Sequence, residues 1–325
     1  MAVSSASKVK PLRTKRFYKL KNKTYLIGLL LSFLRYLLLI GLAFIIIYPF
    51  IAKFSSMLMS KADIADKTVN LIPRSPTLDN IKNVIVGTDY FEALWHTGLL
   101  SLLTGILQTF FCTFIGYGFA KYKFRGNGLV FALVVFTMII PPQTLSTAYY
   151  MIFKEFDLFG LVKLLTGGSI NTIDSFFPLL LLSVTGLGLK NGLYVFMMRQ
   201  FFRGVPNELQ EAADVDGAGD FRTFFSIILP LAIPMMVTIF LFAFSWQWTD
   251  DYYSTLFFTG FNLLNKVINN AGSLLIDGEM LQSGSALSSA MLNAATFLVV
   301  IPLLIIYLFA QKKFVQGIES SGIVG

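Results

Sequence analysis

A single cysteine, Cys112, and a single histidine, His96, stand in the 325 residues of this chain. A disulfide needs two thiols and the usual zinc sites draw most of their ligands from Cys and His, so neither is expected here, and the usual nucleophilic triads are excluded with them. Charge is scarce as well. Asp, Glu, Lys and Arg make up 14% of the residues against 55% hydrophobic, where a soluble domain carries about 25% charged residues. The surplus apolar surface has to face lipid. No G-x-x-x-x-G-K-[ST] loop is present, so the chain lacks a phosphate cradle of its own. The net charge of +8 is not a nucleic-acid face, because eight Lys and Arg fall between Lys8 and Lys23, directly before an apolar stretch. That is the flank of a membrane helix.

Tyr36 to Ala52 gives 17 residues free of charge between Arg35 and Lys53, which at about 1.5 Å per residue nearly spans the hydrocarbon layer. A basic region before an apolar one resembles a signal peptide, but no A-x-A cleavage site follows, so an uncleaved first span is expected. Tyr25 to Leu34 is apolar too, as an interfacial helix or as an extension of that span. Five further spans are expected at about 97–120, 128–150, 177–198, 231–248 and 289–310. The third contains Pro141 and Pro142, which remove two backbone donors and predict a broken or kinked helix. The loop from about Lys53 to Trp95 mixes charges with Pro73 and Pro76 and is expected to be ordered only in part.

An inside N-terminus places 16 of the 26 basic residues in the segments 1–24, 120–127, 199–229 and 311–325, and 12 of the 18 acidic residues opposite them. The positive-inside rule then puts both ends in the cytoplasm, and six spans satisfy the even number this requires. The expected fold class is an all-α integral membrane protein, with a basic segment over 1–24 and a transmembrane domain over 25–325.

The most informative stretch is Arg199 to Pro230. Pro206 and Asn207 suit a helix start, Glu208 to Ala213 are good helix formers, and Gly217 and Gly219 permit a left-handed stop. Asp220 is placed to cap a second helix that meets Pro230. The pattern predicts a helix of two to three turns, a glycine corner and another helix. Ala212 and Ala213 beside Glu211 leave a low-profile face that a partner groove can approach closely, with the carboxylate as anchor. An ordinary amphipathic connector fits the helix signals equally well.

Glu211-Ala212-Ala213, then Gly217 after three intervening residues, then Ile227 and Leu229-Pro230, match at every specified position the cytoplasmic-loop signature of ABC importer permeases. Arg199-Gln200-Phe201-Phe202, the Trp246 to Asp251 segment and the closing Phe314-Val315-Gln316-Gly317 to Gly325 resemble the maltose-type family of carbohydrate importers, specifically its MalG-type subunit, and most of the chain from Leu78 onward is similar to it. The chain departs from it where Trp248-Thr249-Asp250 replaces the frequent Trp-Asn-Asp, and in long outer loops at 152–176 and 251–288.

That resemblance implies a type I importer permease in the bacterial plasma (inner) membrane. It implies a second, MalF-type permease, two ATPase subunits that use ATP and Mg, and an extracellular or periplasmic sugar-binding protein. The chain itself would be non-catalytic and bind no cofactor, metal or nucleic acid. The coupling interface would comprise Glu211, Ala212, Ala213, Asp216, Gly217, Ile227, Leu229 and Pro230.

Lys190 lies nine residues before Arg199, roughly 13 Å up a helix, where a cation costs about 2.5–3.5 kcal/mol on insertion scales. It should face protein or water. With Asn191 it reads as a donor lining a path for sugar hydroxyls or an acidic sugar, or else as a lysine that snorkels or pairs with a neighbouring subunit. Gly186, Gly188 and Gly192 would loosen this helix or admit close packing. Trp246, Trp248, Asp250 and Asp251, with Tyr252 and Tyr253, sit at the outer end of the fifth span. They read as aromatic faces plus carboxylates for sugar, or as interfacial anchors. Cys112 and His96 read as packing and interface residues.

An ion-coupled carrier would need ionisable groups in the membrane, and no expected span contains Asp or Glu. A membrane enzyme would need paired carboxylates or an activated nucleophile, and the apolar segments offer none. An importer of the same class for amino acids, peptides or phosphate stays open on the loop signature alone.

Overall fold

The computed structural model describes residues 23–276 and 278–322, with side chains over 27–276 and 278–311. The basic run before Lys23 and the side chains of Lys312 onward lie outside the described residues, and so do the sequence expectations that rest on them.

Most of the described chain is helical. The helices are α1 (Lys23–Met57), α2 (Lys61–Ala65), α3 (Asp79–Gly87), α4 (Tyr90–Lys121), α5 (Asn127–Thr137), α6 (Ser146–Lys154), α7 (Leu161–Thr166), α8 (Phe177–Val184) and α9 (Asn191–Gly204). They continue as α10 (Glu208–Val215), α11 (Asp220–Thr223), α12 (Leu229–Trp248), α13 (Tyr252–Phe257), α14 (Leu264–Ala271) and α15 (Ala286–Gly322). A two-residue hairpin, β1 (Leu275–Ile276) antiparallel to β2 (Glu279–Met280), precedes α15. Four helical stretches are long and apolar enough to cross a bilayer: 27–57, 90–121, 220–248 and 286–311.

Two further apolar stretches are interrupted. Pro141 and Pro142 break the third as expected: α5 ends at Thr137, a 3₁₀ turn spans Pro142–Leu145, and the two halves meet at 99°. The fourth expected span, 177–198, is not one helix. α8 stops at Val184, Gly186 turns at φ +76° and Lys190 at φ +63°, and α9 begins only at Asn191. Lys190 therefore does not lie within a continuous helix but sits at the N-cap of α9. The glycines do both things open to them. Gly186 supplies the left-handed turn, while a Cβ on Gly192 would lie 2.7 Å from Thr137 Oγ1 and 3.0 Å from the Val134 carbonyl, so α9 presses closely on α5.

α4 is the central helix, packed against α8, α9 and α12, while α12 packs on α15 and α15 on α1. Small residues set these distances. A Cβ on Gly116 would lie 2.5 Å from the Met198 Cβ, and one on Gly105 would lie 3.2 Å from a ring carbon of Phe240. The buried face of α4 is strewn with hydroxyls that bond back into their own helix, as Thr104 to Leu100 O (2.8 Å), Thr109 to Gly105 O (2.7 Å) and Thr113 to Thr109 O (2.6 Å) do. This satisfies them without a partner helix.

Contacts fix the direction of each helix. Leu100 clusters with Leu179 and Leu182, Gln108 meets Leu189, Gly116 meets Met198, and Lys121 meets Val205, so α8 and α9 run parallel to α4. Gly98 faces Trp248 and Phe114 faces Phe224, so α12 runs the opposite way. Met57 and Tyr90 share one cluster, and Asn293 bonds Ser56 while Val300 lines a groove with Pro49, so α1 is antiparallel to both α4 and α15. The start of α1, the end of α4, the α10 loop and the end of α15 thus lie at one end of the bundle.

Tyr25–Leu34 is the first part of the 35-residue α1, the extension of the first span that its apolar run allows. One expectation is corrected at the far end. The 53–95 segment is folded rather than partly ordered. Asn80 Nδ2 donates to the carbonyls of Met57 (3.0 Å) and Met59 (2.8 Å), Ser55 donates to Leu71 O, and Val84 is fully buried. The long 251–288 loop is tied down as well, with Leu264 N–H donating to Thr97 Oγ1 (2.9 Å) and Ser288 Oγ to Gly272 O (2.8 Å).

Candidate functional site

The loop that carries the signature folds as its residues dictate. α10 is eight residues long, about two turns, with Asn207 before it. The Asn207 side chain makes no capping bond; its Oδ1 accepts instead from Lys121 Nζ (2.8 Å), which also donates to Val205 O (2.6 Å). Gln210 Nε2 donates to Tyr117 Oη (2.6 Å). The end of α4 therefore grips the start and the first turn of α10. Sequence reasoning missed Lys121 and Tyr117, since their partners stand 84 to 93 positions away and no local pattern links them.

The glycine corner is a paired C-terminal cap. Ala218 N–H reaches Ala213 O (2.9 Å), Gly217 N–H reaches Asp214 O (3.1 Å), and Gly217 adopts φ +74°, so Asp216 stands as the last residue before the left-handed turn. Gly219 is extended and does not share that role; it, and not Asp220, holds the N-cap position of α11, where no side-chain cap forms. The two alanines do not share a face. Successive helical residues are about 100° apart, and Ala213 is buried toward the bundle while Glu211 and Ala212 are exposed.

Ile227, Leu229 and Pro230 lie beyond the corner. The helix widens to a π-turn over Phe224–Ile228, with Leu229 N–H bonding Phe224 O five residues back. Pro230 follows at once. It offers no N–H to the Ser226 carbonyl and its ring crowds that oxygen, which makes the wider turn the natural accommodation. Ile227 and Leu229 pack on the cluster of Tyr117, Phe202 and Phe224, joining the corner to α4 and α9.

A second feature lies at the two helix breaks. A cavity of ≈ 220 Å³ is lined by Ile140 and Pro142 from one break, Gly188, Lys190 and Asn191 from the other, and Tyr149 and Tyr253 across them. Its level is set by Gln108, which donates to Leu189 O (3.4 Å) and stands roughly 20 Å along α4 from Lys121. Asn191 is 1% exposed; its Nδ2 donates to Ser183 O (3.1 Å), and its Oδ1 has no partner. Lys190 is exposed and its Nζ stands 4.8 Å from the centre of the Trp246 ring, a cation–π contact rather than a snorkelling pose.

Of the residues at the outer end of the fifth span, Tyr253 lines the cavity, Tyr252 Oη donates to the Pro142 carbonyl at its edge (3.4 Å), and Trp246 reaches it through Lys190. Trp248 is buried, stacked on Phe244, and its Nε1 donates to Val299 O (3.0 Å). Asp250 caps α13, accepting from Ser254 N–H (2.8 Å), Ser254 Oγ (3.1 Å) and Tyr253 N–H (3.3 Å), and its burial raises its carboxyl above the ordinary range. Asp251 accepts from Asn265 (3.1 Å) and Asn269 (3.4 Å). Tyr253 is not an interfacial anchor: it is buried and stacks on Phe257. Cys112 and His96 are packing residues, the thiol fully buried and the imidazole bonded to Asn262 O (3.1 Å).

Four helices long and apolar enough to cross a membrane, two interrupted apolar stretches that meet at a cavity, and a loop helix gripped at one end fit a polytopic helical membrane protein. Residues 112–320, well over half of the chain, match the family described as the binding-protein-dependent transport system inner membrane component, and the chain belongs to that family. It is 30% identical over 300 residues to the maltodextrin transport system permease protein MalD of Streptococcus pneumoniae, covering 89% of this chain and 94% of that one. It is 29% identical over 296 residues to the maltodextrin permease protein MdxG of Bacillus subtilis, covering 89% and 95%. The same fold occurs in a bacterial ABC transporter that imports the acidic polysaccharide alginate, with a TM-score of 0.63 at 20% identity, covering 88% of this chain and 96% of that one.

Proposed function

We propose that this chain is one of two permease subunits of an ATP-driven carbohydrate importer of the bacterial plasma membrane, and that α10 is the lever by which separate ATPase subunits drive it. Family membership and the maltodextrin permeases among its relatives support the importer class and the sugar cargo. The observation that carries the lever is the double grip of Lys121 and Gln210 between α10 and α4. α10 presents Glu211 and Ala212 outward, so a subunit that seizes that face pulls on the central helix, and through the glycine corner and π-turn on α12. The two interrupted passages supply bendable sites along the path that such a pull would open alternately to either side.

If α5–α6 and α8–α9 each cross once, the chain has six spans with both ends on the α10 side, in keeping with the basic residues there. ATP and Mg belong to the partner ATPases in this reading. A second permease closes the path, and an extracellular or periplasmic binding protein delivers cargo to the far end. The test is reconstitution with the co-purifying ATPase and sister permease. Glu211→Ala should leave insertion and assembly intact while lowering ATP-driven sugar uptake more than tenfold. Undiminished uptake, or a crosslink from α10 to anything but an ATPase, would overturn the assignment.

A further inference from the structure

The cavity at the two helix breaks is one-sided in charge. None of its lining residues is acidic, among the described residues no carboxylate pairs with Lys190, and the acid nearest Trp246 along the chain, Asp250, is committed to the amides of α13. Lys190 stands at the N-terminus of the 14-residue α9, where the backbone adds positive polarity to the ammonium. The buried Asn191 Oδ1 beside it is an acceptor with nothing to accept. A hydroxyl would satisfy it.

Trp246 stands outside the cavity lining and adjoins it through Lys190: it is 46% exposed and its ring face is covered by the Lys190 ammonium. We propose that this group is a subsite for an acidic sugar unit: Lys190 takes the uronate carboxylate, Asn191 accepts from a ring hydroxyl, and the Trp246 face, once the ammonium has swung away, receives the C–H face of the pyranose. The ≈ 220 Å³ is below the about 300–1,000 Å³ of a complete small-molecule site. One unit of a longer chain sits there and the rest extends outside. The inference rests on the carbohydrate-import reading and narrows its cargo to oligosaccharides that carry carboxylates.

The assembled importer in nanodiscs is titrated directly with trigalacturonate and with maltotriose, so that the selectivity of the soluble binding protein does not enter. Binding is read as the tryptophan fluorescence change that W246F abolishes. The expected result is at least tenfold tighter binding of trigalacturonate, a preference lost in K190M and restored in part by K190R. Equal or better binding of maltotriose, or an acid preference that survives K190M, overturns the subsite and leaves carbohydrate import standing. A fluorescence change that follows the fraction of anionic lipid and ignores both sugars would assign Lys190 to a lipid headgroup and also overturns it. Should K190M fail to insert, the wild-type preference and its W246F control decide alone. ATP-driven uptake by the full assembly with its binding protein is measured alongside; failure to move either sugar defeats the import reading itself.

Discussion

Lys121 Nζ lies 2.8 Å from Asn207 Oδ1 and 2.6 Å from the Val205 carbonyl, so the last residue of α4 holds the segment leading into α10 with a charged donor. Hydrogen bonds to charged groups contribute about 1.5–3 kcal/mol each when partly shielded. Lys121→Met keeps the length and apolar stem of the side chain but removes both bonds. It should insert and assemble normally while wasting ATP, with the ratio of sugar moved to ATP hydrolysed falling severalfold. A ratio equal to wild type would show that α10 needs no grip from α4.

A side-chain carbon added at Gly217 would meet nothing within 4 Å, so the demand at this position is conformational alone. At φ +74° an ordinary L-residue costs roughly 1–2 kcal/mol, and asparagine less. Gly217→Val should therefore loosen the corner and depress coupling, Gly217→Asn should be tolerated, and limited proteolysis of the 205–222 loop should rank the three proteins in that order. Equal protease resistance would remove the corner from the mechanism.

Gly116 makes the opposite demand, since an added Cβ would meet the Met198 Cβ at 2.5 Å, whereas two residues on Gly118 has open space. Overpacking of this kind costs about 1–3 kcal/mol. Gly116→Val should lower the thermal midpoint of the solubilised protein and its yield, and Gly118→Val should change neither by more than a little. Matching midpoints would mean that α4 and α9 separate freely at this level.

These positions show which features are legible in the sequence alone. Apolar runs placed the four uninterrupted helices long and apolar enough to cross a membrane, because lipid exposure leaves its mark on every residue of a span. Pro141 and Pro142 announced the first break, since proline removes a donor wherever it stands. The break at Lys190 was half legible: Gly186 and Gly188 signalled a loosened or closely packed helix, but glycine is tolerated in membrane helices and does not by itself fix a stop. The loop helix and its corner could be read from Pro206 to Gly217, whose capping chemistry is local. Its mount on Lys121 and Tyr117 could not, being a contact between segments far apart in sequence. The burial of Trp248 and Tyr253 was equally hidden, because an aromatic that anchors at an interface and one that fills a core have the same neighbours along the chain.

Asp174 offers a test at the far end that titrates. Its carboxylate accepts from the hydroxyl of Thr259, from Gly260 N–H (2.7 Å) and from Thr259 N–H (2.5 Å), with Lys266 nearby, and together these hold its carboxyl below the ordinary value against the opposing effect of burial. A lowered carboxyl adds stability that is complete above its unfolded value, about pH 3.9, and is lost as pH falls through the lower folded value. Hydrogen exchange over residues 256–272 should therefore stay constant from pH 7 to 5, after correction for intrinsic rates, and rise below pH 4. Asp174→Ala should raise it at every pH and flatten the profile. Protection that declines already between pH 7 and 5 would point to another group, since neither the direction of the shift at Asp174 nor its cause allows a loss in that range.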